Sequence, residues 1–417
     1  MKSTSLATMA WRNLWRNRRR TFITLSAIVF GVFLAVLMAA MQDRNWDDMI
    51  ELAARLGAGH ATLQHPEYLD NPTMSRSVQE TNRLARLALG EARVSRVVPR
   101  ISGFNILSTA RENLGAGFLA VSPEQEDEQT LSLLEAIVEG EFFHSSSDKG
   151  IILGDRLATN LDVELGKKVV YTMTDKDGEI VSALARVSGI MHTGSPGVDG
   201  GMALLPIDTV RELVGFGPDE AIQVAVFVDD QRSSDAVVAD LRGVMTEDVA
   251  VVAWHELQPE LATFIALKIG GSYVFMIIMA VLVAAGIFNT LFASVMERLR
   301  EFGIMVAVGF SPGQLFRLVM FESGWLAVVG IVGAAIVTVG PYLYLSSTGI
   351  DLSAILAVPG AVVEVEGVGL DPILKVGIFP ESLALIGVSA LCAVLLSGIY
   401  PAWKAGHADP VETIRVG

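Results

Sequence analysis

TFITLSAIVFGVFLAVLMAAMQ, residues 21–42, contains no Asp, Glu, Lys or Arg. At about 1.5 Å of rise per helical residue, such a run crosses the roughly 30 Å hydrocarbon core of a bilayer. Buried helices of soluble domains are shorter, about 10–14 apolar residues. Residues 269–296, 323–350 and 382–403 are equally free of charge. The expected fold is therefore an α-helical membrane protein with four spans. The first run is too long for the apolar core of a secretory signal, and no small-x-small site closes it, so it is expected to remain uncleaved.

Basic residues set the orientation. Arg12, Arg16, Arg18, Arg19 and Arg20 precede the first run, whereas Asp43, Asp47, Asp48 and Glu51 follow it with only Arg44 against them. The positive-inside rule puts the amino terminus in the cytoplasm, and four crossings return the carboxyl terminus there. Lys404, Arg298, Arg300 and Arg317 agree with this. The long segment after the first run accounts for the whole of the chain's net charge of −15, which argues against a phosphate backbone as partner because neutralising phosphates takes clustered Lys and Arg. The single cysteine, Cys392, falls in the fourth run, so the outer segment has no disulfide and relies on an apolar core.

The expected organisation is an amphipathic elbow helix lying on the membrane at 1–20, a first span at 21–42 and an extracytoplasmic α/β (α+β) domain at 43–268. A second span follows at 269–296, then a loop helix and turn at 297–316, a third span at 317–345, a short outer loop at 346–381, a fourth span at 382–403 and a tail at 404–417. Within the domain, ATLQ, RVSRVVPRISG, AGFLAVS, KKVVYTMT, ALARVSGI and IQVAVFVDD are rich in β-branched residues and read as strands. SVQETNRLARLAL, DRLATNL and SDAVVADLRGVM have helical spacing. PEQEDEQ (123–129) and HSSSDKG (144–150) read as surface loops, with a divide between two subdomains near them. IDLSAIL (350–356) is expected to form a small helix.

Between the second and third spans lies MERLREFGIMVAVGFSPGQLFRLV, residues 296–319. Leu299, Phe302 and Val306 follow i, i+3, i+7, and Glu297 and Glu301 are spaced to pair with Arg300 and Arg298. Gly309 can end that helix with positive φ. Ser311, Pro312 and Gln314 form a capping box that starts the next one. Such a short, doubly capped helix can transmit force. Asp409-Pro410-Val411-Glu412 repeats the capping device in the tail. Glu322, about a turn inside the third span, is expected to snorkel or to pair with Arg317.

Signs of chemistry are missing. There is no G-x-x-x-x-G-K-[ST] motif; Gly166-Lys167-Lys168 lacks both the earlier glycine and the hydroxyl residue. The histidines have no i, i+4 pair, so no metal site is expected. GIMHTGSPGVDGG (189–201) reads as a turn between strands and not as a phosphate loop. No catalytic residue is assigned.

WRNLWRNRRRT before the first span, ERLREFGIMVAVGFSPGQ between the second and third, and YPAWKAGHADPVETIR at the end together resemble the permease subunits of FtsX-like, MacB-type (type VII) ABC transporters. GIILGDRLATNLDVELGKKV and ARVSGIMHTG resemble that family's extracytoplasmic domain. The layout is similar to that of the lipoprotein-releasing permeases LolC and LolE. The resemblance implies a bacterial inner-membrane protein with a periplasmic domain and no cofactor of its own, ATP and Mg being bound by two copies of a separate P-loop ATPase. It implies that Glu297, Arg298, Arg300, Glu301, Gly303 and Gly309 couple to that ATPase, with Tyr400 and Pro401 ending the fourth span. It also implies a second permease, identical or related, and a lipoprotein or periplasmic partner. A cavity for acyl chains between the first two spans would use Phe33, Leu37, Met41, Tyr273, Phe275, Met276 and Met279. Two alternatives stay open: force transmission to an exporter adaptor or envelope enzyme, and a membrane sensor with an outer ligand-binding domain.

Overall fold

The computed structural model describes residues 3–351, 363–365, 368–370 and 373–407. Four helices are long and apolar enough to cross a bilayer: Arg18–Ala53, Pro259–Glu297, Pro312–Thr348 and Pro380–Gly406. Each extends beyond its uncharged run because charged residues continue the same backbone hydrogen bonding at the ends. The chain divides into two compact units, one of Met1–Asn45, Ala266–Ile350 and Ile373–Gly417, the other of Trp46–Ile265 with Asp351–Pro372. The small helix expected beyond Asp351 and the capping box at Asp409–Glu412 lie outside the described residues.

In the membrane unit, close helix approach depends on missing side chains. A Cβ at Gly330 of the third span would come within 2.5 Å of Ile28 of the first. Ile28, Val32 and Val36 pack there against Leu326, Ala327 and Ala334. The elbow, Ser3–Leu14, is a separate helix. Its Leu6, Ala10 and Leu14 are buried, and Ala10 joins a cluster with Val295, Phe302, Leu315 and Leu318. The elbow's apolar side is thus taken by the bundle, and its opposite side is free.

The inserted domain contains β1 (Ala61–Gln64), β2 (Val78–Gln79), β3 (Val94–Ser108), β4 (Asn113–Val121), β5 (Ile137–Gly140), β6 (Gly150–Gly154), β7 (Lys168–Thr174), β8 (Ile180–Met191), β9 (Met202–Pro206), β10 (Glu220–Ala221), β11 (Gln223–Val228) and β12 (Ala250–Ala253). The main sheet runs β12-β1-β11-β3-β4-β9-β6-β8-β5, with β7 pairing β3 and β8. Two cores flank it. Leu63, Val224, Val226 and Val251 pack with Leu84, Val237 and Leu241 of helices Thr81–Ala88 and Ser234–Val244. Ile101, Leu107, Phe118, Ile151, Leu153, Tyr171 and Leu205 pack with Leu157 and Val210 of helices Asp155–Asn160 and Ile207–Val214. The divide therefore falls inside β3, whose Arg100 faces Gln223 of β11 and whose Ile101 faces Ala120 of β4. It does not fall at the two polar loops, as the sequence reading expected, because a single long strand serves both cores.

Those loops bind each other. The Glu124 carboxylate accepts from the hydroxyls of Ser146 and Ser122 and from the Ser146 N–H. The Ser146 hydroxyl is the main reason that the carboxyl is held down at about 2, against a smaller upward push from burial. Because its folded value is depressed, the tie contributes fully above the ordinary value of 4.5 and is lost as pH falls towards 2. The thermal-unfolding difference between wild type and Glu124→Gln should therefore be larger at pH 6 than at pH 3.

Candidate functional site

The second span ends at Glu297, and a new helix, Leu299–Ala307, begins after a break at Arg298 (φ −103°, ψ 7°). Its Phe302 and Gly303 are buried, which fixes one side of the helix to the bundle. Gly309 then turns the chain at φ +103°, a conformation that disfavours side chains. Ser311 caps the third span, its N–H donating to Gln314 Oε1 at 2.9 Å, with Pro312 in the first turn. The helix is therefore short and held at both ends.

Glu301 and the charges flanking the break join a network with the start of the chain. Arg16 pairs with Glu301, and Arg20 Nη1 lies 2.7 Å from Glu297 Oε2. Arg298 donates to Glu301 Oε2 at 3.3 Å and to both Glu322 oxygens at 3.2 and 3.1 Å, with its guanidinium over the Phe302 ring at 5.1 Å. Asn13 Nδ2 donates to Glu322 Oε1 at 2.9 Å. Burial would raise the Glu301 carboxyl, and the hydrogen bonds from Arg16 and Arg298 overcome it, holding the group below its ordinary value. Two expected pairings are corrected. Glu297 meets Arg20 instead of Arg300, because the break at Arg298 takes Glu297 and Arg300 off a common helix. Glu322 meets Arg298 instead of Arg317, whose side chain is exposed.

The other side of this helix is free. Arg300, Ile304, Ala307, Val308 and Gly309 are exposed, Val308 at 76% and Ile304 at 49%. Arg300 makes no hydrogen bond or ion pair among the described residues. Of the six residues expected to couple, Arg300 and Gly309 thus point outward, while Glu297, Arg298 and Glu301 are engaged within the chain and Gly303 is buried. Ile304 and Val308 were missed; their four-residue spacing from Arg300 was the available signal. In the fourth span Pro401 is buried, and Tyr400 stacks between Phe288 and Phe292 of the second span and its own Trp403, with centroids 5.8–6.0 Å apart.

Met276 and Met279 line an apolar pocket of about 40 Å³ with Ile28, Gly31 and Val32 of the first span and Ile386 and Ala390 of the fourth. Phe33, Leu37 and Met41 are half-buried elsewhere on the first span, and Tyr273 and Phe275 are exposed.

Two further features belong to the inserted domain. The glycine-rich loop holds a six-residue helix, Pro196–Gly201, where the sequence reading expected only a turn. Asp199 of that helix is buried, accepting from Thr193 N and Oγ1 at 2.7 Å each and from Gly194 N at 3.1 Å. The loop's donors are thus taken by the chain's own carboxylate. His192 Nδ1 lies 2.8 Å from Asp155 and 3.4 Å from Asp199, a grouping with cation-ligand geometry that the histidine spacing did not reveal. Secondly, Arg100 and Glu126 form a fully buried pair. Arg100 donates to both Glu126 oxygens at 2.7 and 2.8 Å, to the Gly57 carbonyl at 2.8 Å and to the Thr130 carbonyl at 2.8 Å. PEQEDEQ is a loop, as expected, but its central glutamate points into the protein.

The model of the MacB-like periplasmic core domain matches residues 21–244, and that of the FtsX-like permease C-terminal region matches residues 273–410. The lipoprotein-releasing system transmembrane protein LolC of Xylella fastidiosa (strain 9a5c) is 22% identical, covering 97% of this chain and 97% of its own. The ABC transporter permease YtrF of Bacillus subtilis (strain 168) is 30% identical over 48% of this chain and 43% of its own. The macrolide export ATP-binding/permease protein MacB of Acinetobacter baylyi is 21% identical over 80% of this chain and 50% of its own. These matches favour the transporter readings over the sensor alternative. With four spans and both family regions in order, the chain belongs to the MacB/FtsX-type ABC transporter permeases and is a multi-pass protein of the inner-membrane type.

Proposed function

We propose that this chain is the force-transmitting permease of a lipoprotein-releasing ABC transporter. The observation that carries the reading is the two-faced helix Leu299–Ala307. Its inner face is locked to the elbow and the third span by Arg16, Glu301, Arg298 and Glu322, and its outer face leaves Arg300, Ile304 and Val308 free for a cytoplasmic ATPase subunit. ATP binding would draw two such subunits together and displace the helix. The network would pass that displacement to the spans at once, since a locked helix cannot absorb it. The end-to-end likeness to LolC supports lipoprotein as cargo.

Energetics fit a driven machine. Withdrawing three acyl chains of about 16 carbons, at roughly 0.8 kcal/mol per CH₂, costs on the order of 30–40 kcal/mol unless the chains are sheltered. The pocket of about 40 Å³ has room for only a few water molecules and not for an acyl chain. A shelter would therefore form against a second permease, on the side where Tyr273 and Phe275 are exposed. The same small pocket favours a second reading, in which the chain moves no lipid and drives an adaptor or envelope enzyme.

Affinity capture of the full-length chain from detergent-solubilised membranes, with mass spectrometry of its companions, separates the two. An ATPase subunit together with acylated protein is the expected result. An ATPase with an adaptor or hydrolase, and no acylated protein, would transfer the assignment to the second reading. Absence of any ATPase would overturn both.

A further inference from the structure

The five arginines at the start of the chain divide into two groups. Arg16 and Arg20 are committed to Glu301 and Glu297. Arg12, Arg18 and Arg19 are exposed and make no hydrogen bond or ion pair among the described residues. No acidic side chain among the described residues pairs with them. The elbow's buried side, Leu6, Ala10 and Leu14, fixes its rotation; Arg12 lies on the exposed side, and Trp11, 37% exposed, lies at its edge, where it also meets Trp325 of the third span edge-on at 5.0 Å.

That side leads directly onto the lipid-facing surface of the first span. Trp11 meets Trp15 edge-on at 5.6 Å, and Trp15 meets Phe22 at 6.2 Å. Phe22, Ile23 and Phe30 then continue as exposed residues of a membrane-spanning helix, at 57–64%. An aromatic seam running from a span's lipid face onto an adjoining helix marks the depth of the headgroup layer, where tryptophan is favoured. Three guanidinium groups without a partner among the described residues lie beside that seam, and each basic residue near an anionic membrane surface contributes about 1 kcal/mol towards anionic lipid.

We propose that the outward side of the elbow and the start of the first span together form a binding surface for anionic phospholipid, with Arg12 of the elbow and Arg18 and Arg19 of the span holding headgroup phosphates and Trp11, Trp15 and Phe22 placing the acyl boundary. The arginines within the same short segment then have separate tasks, two holding the helix between the second and third spans and three holding lipid. Through the shared elbow, lipid charge would bear on the position of that helix. The surface does not depend on which cargo the transporter moves or on ATPase docking.

The test uses the purified full-length chain in nanodiscs of phosphatidylcholine and phosphatidylglycerol in equal amounts. The protein is extracted into mild detergent, and the phosphatidylglycerol-to-phosphatidylcholine ratio of the retained lipid is read by mass spectrometry. Wild type should retain phosphatidylglycerol with roughly tenfold enrichment over the bulk ratio, allowing for screening. Arg12→Gln/Arg18→Gln/Arg19→Gln should fall to the bulk ratio, and the corresponding triple lysine variant should keep most of the enrichment. Arg300→Gln/Arg317→Gln/Lys404→Gln removes the same charge elsewhere and should leave it unchanged. The proposal is overturned if wild type shows no enrichment, if the first triple variant retains it, or if the two glutamine variants lose it equally. Full displacement by millimolar glycerol 3-phosphate would also overturn it, because that result would describe a phosphate site without a lipid component.

Discussion

Arg100→Met should destabilise the inserted domain by about 3–5 kcal/mol, the range for removing one partner of a buried ion pair. The loss has identifiable parts. Glu126 would lose its counter-charge in a site from which water is excluded, and the Thr130 carbonyl would lose its guanidinium donor. The Gly57 carbonyl would keep only the Gln223 Nε2 donor, at 3.0 Å. For a domain of this size the midpoint of thermal unfolding would drop by roughly 10 °C. Arg100→Met/Glu126→Leu should recover much of this, because removing both charges removes the desolvation cost as well. Thermal unfolding of the full-length protein in detergent, for the single variants and the pair, gives the coupling directly. Equal stability of wild type and Arg100→Met would mean that water reaches the pair and that the two cores do not depend on it.

The position of that pair shows where the sequence could be read and where it could not. The spans were legible because a bilayer imposes length and polarity on the residues one by one, with no reference to distant parts of the chain. The strands and helices of the inserted domain were legible for a similar reason: β-branched runs such as KKVVYTMT and the helical spacing of SDAVVADLRGVM report local conformation. Arg100 and Glu126 were opaque because each looks like a surface charge in its own neighbourhood, and only the fold brings them together across 26 residues. Glu322 was opaque in the same way. Its nearest basic neighbour in sequence, Arg317, stays exposed, and its partners Arg298 and Asn13 come from distant parts of the chain. At the loop between the second and third spans the caps were read correctly, since Gly309, Ser311, Pro312 and Gln314 act over a few residues. Which face of that helix looks inward was not in the motif, which does not show that Glu297, Arg298 and Glu301 are ion-paired within the chain.

Ile304→Glu/Val308→Glu should weaken capture of the ATPase subunit by roughly a hundredfold, the equivalent of about 2.7 kcal/mol, within the range of apolar anchors at interface centres. Both side chains are exposed in this chain, so their replacement disturbs no internal packing, and exposed substitutions of this kind usually change stability by only about 0.5 kcal/mol either way. The fold should therefore survive while the contact is lost. Glu301→Gln makes the informative contrast. It leaves Ile304 and Val308 in place but removes the negative charge shared by Arg16 and Arg298 and one of the two oxygens that accept from them, so the subunit should still be captured while ATP hydrolysis loses its link to movement of the spans. Capture measured by co-purification and transmission measured by spin labels on the inserted domain would separate the two effects. If the glutamate pair on the outer face leaves capture unchanged, the ATPase docks elsewhere. If Glu301→Gln abolishes capture as completely as the outer-face pair does, then the ion pairs set the helix's position for docking, and the division into a locking face and a contact face fails.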